Sequence, residues 1–416
     1  MPEPIKRLLK LTLLFLFFVF HFSLKAELCH DFLLLDGFEP LISSGMDTSY
    51  HWWAVTQPFT GKYRMIIDGE KSKSYNYLTE PVFSPNGERW AYFAVDASNQ
   101  TYLITEASVQ PVPGFQPGMI IYSPNSEVLA YTYYEQDLET FVLGDKSIKF
   151  LNRMGNIYLS QDGSRYSVVG MRGSSYVMNI NGRESSAFDR ILPIGFWIDG
   201  QMCYSGSSGD RTQIYKEFIP ISDIYRTITD VKINLFGTVM AAIAQELSGR
   251  YVSLLFSDDY VEPMISKQYE YMNNLVLHPS LPLIGLYAFH DGINVVMQNS
   301  TEYSAGAATG NPHYTHDGSE LYFLGCDIDC FLNVNGLKYP LKTTWPSTQI
   351  IAKQPKSKTI AFTTSSSLVL RDLEDRQLYS GMMADTISYP RYNWRQERYE
   401  TLGQIRSRLY LMTCAK

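Results

Sequence analysis

The stretch SPNGERWAYFA, residues 84–94, recurs in altered form along most of the chain, and that recurrence limits the fold more than any other feature. Taking Gly87 as the anchor, later copies are SPNSEVLAY at Ser126, SQDGSRYSVV at Gly163, WIDGQMCYSG at Gly200 and NLFGTVMAAIA at Gly237. HPSLPLIGLYA at Leu281, THDGSELYFLG at Gly318, KQPKSKTIAFTT at Ser357 and YNWRQERYETLG at Gln396 follow, with a weaker first member around Gly45. The intervals between anchors are nearly constant, and the longest runs from Gly237 to Leu281. A fixed period of roughly 38 residues means stacked repeats, because each unit is too small to bury its own faces.

A second apolar run follows each anchored segment in step, for example YRMIIDG, TYLITEA, SYVMNING, YVSLLF and INVVMQN. Alternation and β-branched or aromatic enrichment mark these runs as strands. Asn-Gly and Asp-Gly steps tolerate the positive φ of tight hairpins, the role expected of Gly87, Gly163, Gly200 and Gly318. Pieces such as YNYLTE and VQPVPG supply a short fourth strand. Each unit then reads strand, tight turn, strand, turn, strand, short strand. FGTVMAAIAQEL, 236–247, has helical composition, but it falls in phase with the repeats and is read as strand. Four-stranded units stacked radially make a β-propeller; a straight solenoid would want cleaner rungs and capping units. The expectation is an all-β propeller of about ten four-stranded repeats over 27–416. A single continuous ring is preferred to a smaller ring with degenerate flanking units or to two tandem propellers. The longest interval holds 257–274, read as an internal joint or an inserted loop.

The segment 1–26 reads as a signal peptide: a basic region, the apolar run LTLLFLFFVF and a small residue at Ala26. That apolar run is short for a spanning helix, and no later segment approaches membrane length, so no integral membrane domain is expected beyond it. The chain carries −7. Lys6, Arg7, Lys10 and Lys25 against Glu3 give the segment Met1–Ala26 a charge of +3, so the remainder is near −10. This argues against nucleic-acid binding. Export permits disulfides among the five cysteines. A ring brings its ends together, which suggests Cys29–Cys414. Cys326 and Cys330 flank an expected hairpin tip and suggest a local pair. Cys203 is then a buried strand residue.

The motif PVFSPNGERWAYFA, 81–94, followed by strands ending in D-G or N-G steps (IIDGEKSKS, MNINGRESS, LNVNGLKYP), resembles the WD40-like repeats of bacterial TolB-type β-propellers. The resemblance covers most of 45–414 as a fold signature. It implies a periplasmic or secreted protein that makes protein contacts. The matching residues are structural, and no family active site maps onto them.

Candidate chemistry is sparse. His313 and His316 with Asp317 are the nearest approach to a metal pair, but zinc wants three or four protein ligands; a polar strand entering a turn is the plainer reading. Asp258, Asp259 and Glu262, like Asp327 and Asp329, offer oxygens but lack a calcium-loop pattern. No nucleophile elbow or phosphate loop occurs. Trp52, in HWWAVT, and Arg395, in the basic aromatic run YPRYNWRQERY, are candidate binding-surface residues. The function expected is an exported, non-enzymatic scaffold, without cofactor, that binds a protein or cell-envelope component through one ring face. The alternative is a propeller hydrolase or lyase acting on a glycan or peptide.

Overall fold

The computed structural model describes residues 29–113, 116–135, 138–150, 153–260, 262–341, 351–373 and 377–415. The expected signal peptide, 1–26, lies outside the described residues. Within them the chain is all-β, a ten-bladed β-propeller fold of antiparallel four-stranded repeats. Strands run a, b, c, d in chain order within blades 1 to 9. In blades 2, 8 and 10 strand a is broken into two short pieces.

The chain forms two compact units. The larger, chiefly Gly37–Gln349, holds blades 1 to 8. The other combines the segment ending at Asp36 with residues from Ile350 onward and holds blades 9 and 10. In blade 10 strand d is the N-terminal strand Cys29–Leu35, which pairs antiparallel with Arg408–Ala415. Cys29 lies opposite Cys414, and a disulfide joins them.

The buried side chains form a series of layers between neighbouring blades. Blade 6 shows why. Its strand b, Val239–Gln245, reads VMAAIAQ. Met240, Ala242 and Ala244 pack toward blade 5, while Val239, Ala241 and Ile243 pack toward blade 7. Side chains alternate across a strand, so a strand covered on both sides is apolar throughout. The alanines suit a closely stacked blade, and interblade packing overrides their helical propensity. Cys203, wholly buried in the layer between blades 5 and 6, has its thiol pKa pushed up by burial to about 12.

The a–b hairpin is held by side-chain caps. Ser84 Oγ accepts the Arg89 amide at 3.0 Å and donates to Asn86 Oδ1 at 2.8 Å. Asn86 Oδ1 also accepts the Glu88 amide at 3.1 Å. Ser123 with Asn125 and Ser160 with Asp162 repeat this arrangement, and Thr315 with Asp317 does so in blade 8. Such local bonds favour a turn over continued strand. Gly87, Gly163, Gly200, Gly237 and Gly318 all sit at φ between +69° and +77°. The first blade corrects the repeat register. Its left-handed turn residue is Tyr50, one repeat before Gly87, and Gly45 lies within strand a, Leu41–Met46. There a Cβ would fall 2.7 Å from the Trp53 ring nitrogen. In blades 9 and 10 the positive φ falls on Lys356 and Glu397, immediately beside the anchors Ser357 and Gln396.

A second repeated device connects strand d to the next blade. Ser72, Ser185, Ser222 and Ser266 each accept a strand-c amide through the hydroxyl, from Met65, Met178, Ile214 and Ser253 at 2.9–3.1 Å. Three positions later Tyr75, Phe188, Tyr225 and Tyr269 are buried and bridge to the start of strand c. This Ser-x-x-aromatic step pins the chain before it enters the next blade.

The caps have a pH signature. Hydrogen bonds from Ser160, then from the Ser164 amide and hydroxyl, hold Asp162 at a pKa of about 2. A carboxylate held below its unfolded value contributes stability above about pH 4 that is lost as the pH falls toward 2. Asn86 and Asn125 fill the equivalent position without titrating. Asp162→Asn should therefore fold normally and lose less stability than the parent between pH 4 and 2. Urea midpoints measured across that range test this, and an unchanged acid profile would count against it.

Candidate functional site

In blades 1 to 9 the a–b and c–d turns lie at one end of the strands, and the b–c turns lie at the other. At the first end, turns of successive blades touch. Asn86 N donates to Ser126 Oγ at 3.0 Å, Asn125 N to Gln161 O at 3.1 Å and Ile198 N to Gly237 O at 2.9 Å. Arg165 reaches Gly200 O. The turn glycines make this contact close: a Cβ on Gly163 would lie 2.5 Å from Val128 Cβ, and one on Gly318 2.2 Å from His278 Nε2.

Blades 5 and 6 break the polar pattern of this collar. Blade 5 comprises Arg190–Phe196, Met202–Ser208, Arg211–Lys216 and Ile219–Pro220, and blade 6 Thr227–Ile233, Val239–Gln245, Tyr251–Ser257 and Met264–Ile265. Their a–b turns carry Ile198, Leu235 and Phe236, each a little over half exposed, while the blade 7 and blade 10 turns carry one exposed apolar residue each, Leu281 and Trp394. Between the two blades lies a cavity of 220 Å³ lined by Trp197, Lys216, Ile221, Phe256, Ser257, Asp258, Tyr260, Glu262 and Pro263.

Trp197 forms the buried side of this cleft. Its Nε1 donates to Asp258 Oδ1 at 2.5 Å, and the Lys216 ammonium lies 5.2 Å from its ring centre. Lys216 also pairs with Asp199 at 2.7 Å. The rim is acidic: Asp258, Asp259 and Glu262 are exposed. Among the described residues lining the cleft the cation is Lys216, which Asp199 already partners. The loop exists because blade 6 has extra length. Its c–d connection spans 258–263, where blade 5 uses only 217–218. An aromatic wall beneath carboxylates favours a cationic side chain with an apolar stem, and the neighbouring tips favour apolar contacts.

The other candidates lie elsewhere. Trp52 begins strand b of blade 1, its amide donating to Asp68 Oδ1 at 3.0 Å. His313 is on a short strand of blade 8, its ring stacked on Tyr322 at 5.6 Å, and burial pushes its pKa down with Lys232 contributing. His316 and Asp317 belong to the blade 8 hairpin, where Asp317 Oδ1 accepts from Thr315 Oγ1, Ser319 N and Ser319 Oγ. His313 and His316 therefore serve different settings. Among the described residues no three His, Cys, Asp or Glu side chains gather as a metal site. Arg395 lies in the blade 10 a–b turn, its guanidinium 5.4 Å from the Trp394 ring. Asp258 and Glu262 are thus brought together in one cleft, and Trp52, His313, Asp317 and Arg395 are not. Sequence reasoning missed Trp197, Ile198, Leu235 and Phe236, whose signal was an apolar residue at a turn position.

No family model matches the chain, and no curated protein matches it. Solved structures do resemble it. A eukaryotic initiation factor is 11% identical with a TM-score of 0.45, over 77% of this chain and 93% of that one. The dihydro-heme d1 dehydrogenase NirN is 11% identical with a TM-score of 0.37, over 82% and 74%. The β-propeller domain of the trilobed protease from Pyrococcus furiosus is 12% identical with a TM-score of 0.33, over 64% and 97%. These similarities carry no argument about what this chain does.

Proposed function

We propose that the protein is an exported, non-catalytic scaffold that binds a protein or cell-envelope component through the turn end of blades 5 and 6. The observation that carries this reading is the acid-rimmed, Trp197-walled cleft beside three exposed apolar tips, Ile198, Leu235 and Phe236. A buried aromatic anchor site within a polar rim is how protein interfaces concentrate binding energy. The matching partner segment pairs a lysine or arginine with neighbouring apolar residues. Export to the periplasm or beyond is supported by the basic and apolar N-terminal pattern. The cysteine pairs Cys29–Cys414 and Cys326–Cys330 also suit an oxidising compartment. Kinship with TolB-type WD40-like propellers is supported by the SPNG-type hairpins, which occupy the a–b turns.

The test is affinity capture from an envelope extract with the parent and with Phe236→Asp and Glu262→Gln variants, alongside a glycan and peptide hydrolysis screen. Phe236→Asp should reduce capture by about tenfold or more, the effect of losing a central apolar contact. Glu262→Gln should weaken capture most at low salt. Equal capture by all three, or turnover abolished by a single cleft substitution, would reject the reading.

A further inference from the structure

The opposite end of blades 6, 7 and 8 presents a different surface. Blade 7 comprises Tyr271–Leu277, Ile284–His290, Ile293–Gln298 and Thr301–Ser304; strands b and c of blade 8 are Leu321–Cys326 and Cys330–Val334. Three consecutive b–c hairpins each raise one aliphatic side chain: Leu247 at 52% exposure, Ile293 at 52% and Ile328 at 97%. The blade 2 hairpin, with Ala97, Ser98 and Asn99, raises none.

The Ile328 tip is braced. Cys326 and Cys330 lie opposite each other and are joined by a disulfide, leaving Asp327, Ile328 and Asp329 as the loop. Asp327 N donates to Asp329 O at 3.1 Å, and Asp327 Oδ1 accepts the Ala307 amide at 3.0 Å. Bonds also connect the three tips. Asn294, next to Ile293, donates to Gly306 O at 2.8 Å and to Ala307 O at 3.2 Å, reaching the connecting segment whose Ala307 amide braces Asp327. Arg250, beside the Leu247 tip, pairs with Glu270 at 3.4 Å, and Glu270 accepts the Asp291 amide at 3.2 Å. The row is therefore one connected surface. Glu246, Asp291, Asp327 and Asp329 surround the aliphatic residues with negative charge, Asp291 being 87% exposed, while Arg250 is tied to Glu270.

We propose that this row is a second docking surface, on which Ile328 inserts into an apolar socket rimmed by lysine or arginine on a partner protein. A fully exposed isoleucine on a short cross-linked loop loses little conformational freedom on binding. The acidic surround selects a basic rim and disfavours both an anionic lipid surface and a second copy presenting the same acids. The surface is independent of the cleft between blades 5 and 6, so either can fail alone. Together they would let the protein join two partners, one at each strand end, with blade 6 common to both surfaces.

The experiment places photoreactive p-benzoylphenylalanine at position 328 of the full chain, with position 99 as control, and irradiates the cells that make it. The expected result is a protein adduct from position 328 and not from 99. The purified adduct partner should then bind the parent chain, and Ile328→Lys should weaken that binding by about tenfold or more with the urea midpoint unchanged. Asp329→Asn should flatten the salt dependence. No adduct, equal adducts from both positions, an adduct with lipid or with a second copy, or binding indifferent to Ile328→Lys would overturn the proposal.

Discussion

Replacing Cys29 and Cys414 together by alanine should cost far more stability than replacing Cys326 and Cys330. The two disulfides close loops of very different size, with sequence separations of 385 and 4. The chain-entropy argument assigns about 5–6 kcal/mol to the long closure and about 2 kcal/mol to the short one. Packing adds to the difference, because Cys414 is wholly buried and Cys29 nearly so in the layer shared with Tyr399 and Met412. Alanine is the right replacement, since serine would leave a hydroxyl in that layer. Without the disulfide, strand Cys29–Leu35 is held chiefly by its ladder with Arg408–Ala415, and Phe32 and Leu33 are about half exposed. Its amides should then exchange by local opening well before blades 1 to 8 unfold. Urea denaturation and hydrogen exchange of 29–35 provide the measurement. A midpoint shift no larger than that of the Cys326→Ala/Cys330→Ala variant would contradict the argument.

The second large effect is expected at Gly237. Its φ is +70°, and a Cβ there would lie 2.6 Å from Phe196 O, 2.8 Å from Ile198 N and 2.9 Å from Trp197 C. These are backbone atoms of the preceding blade, and retreat would break the Ile198 N to Gly237 O bond of 2.9 Å. The left-handed conformation costs about 1–2 kcal/mol for a residue with a side chain, and the overlap adds roughly 1–3 kcal/mol. Gly237→Ala should therefore destabilise by about 2–5 kcal/mol. Gly173→Ala is the internal control: its φ is +63°, but no atom of the described residues lies within 4 Å of the added carbon, so only the conformational cost applies. Because Gly237 holds the Ile198, Leu235 and Phe236 tips together, the same substitution should weaken partner capture at temperatures where the protein remains folded. Equal losses at Gly237 and Gly173 would show that the blade-to-blade contact is not what constrains this turn.

Much of the fold was legible because its signals are local and repeated. Ser84, Asn86 and Gly87 encode a hairpin over a short span, through hydrogen bonds to their own neighbours. The Ala-rich segment 239–245 could be assigned by phase where propensity alone would have misled. Gly45 shows the limit of anchoring on glycine: the turn conformation in that blade falls on Tyr50, which no glycine rule identifies. The Ser-x-x-aromatic step was present as SKSY, SSAF, SDIY and SKQY, but it lies outside the strands that carry the hydrophobic period.

The sequence by itself determined the period, the strand pattern and the blade hairpins, because alternation and turn chemistry specify each of them within a single repeat. Only the tertiary structure decided where a partner could be held. Trp197 and Asp258 meet although 61 positions separate them, and Asn294 reaches Gly306 and Ala307 from the neighbouring blade. Stacking of whole blades creates these contacts, so no local periodicity announces them. Whether Ile198, Phe236 or Ile328 is buried or exposed is likewise set by what the next blade covers.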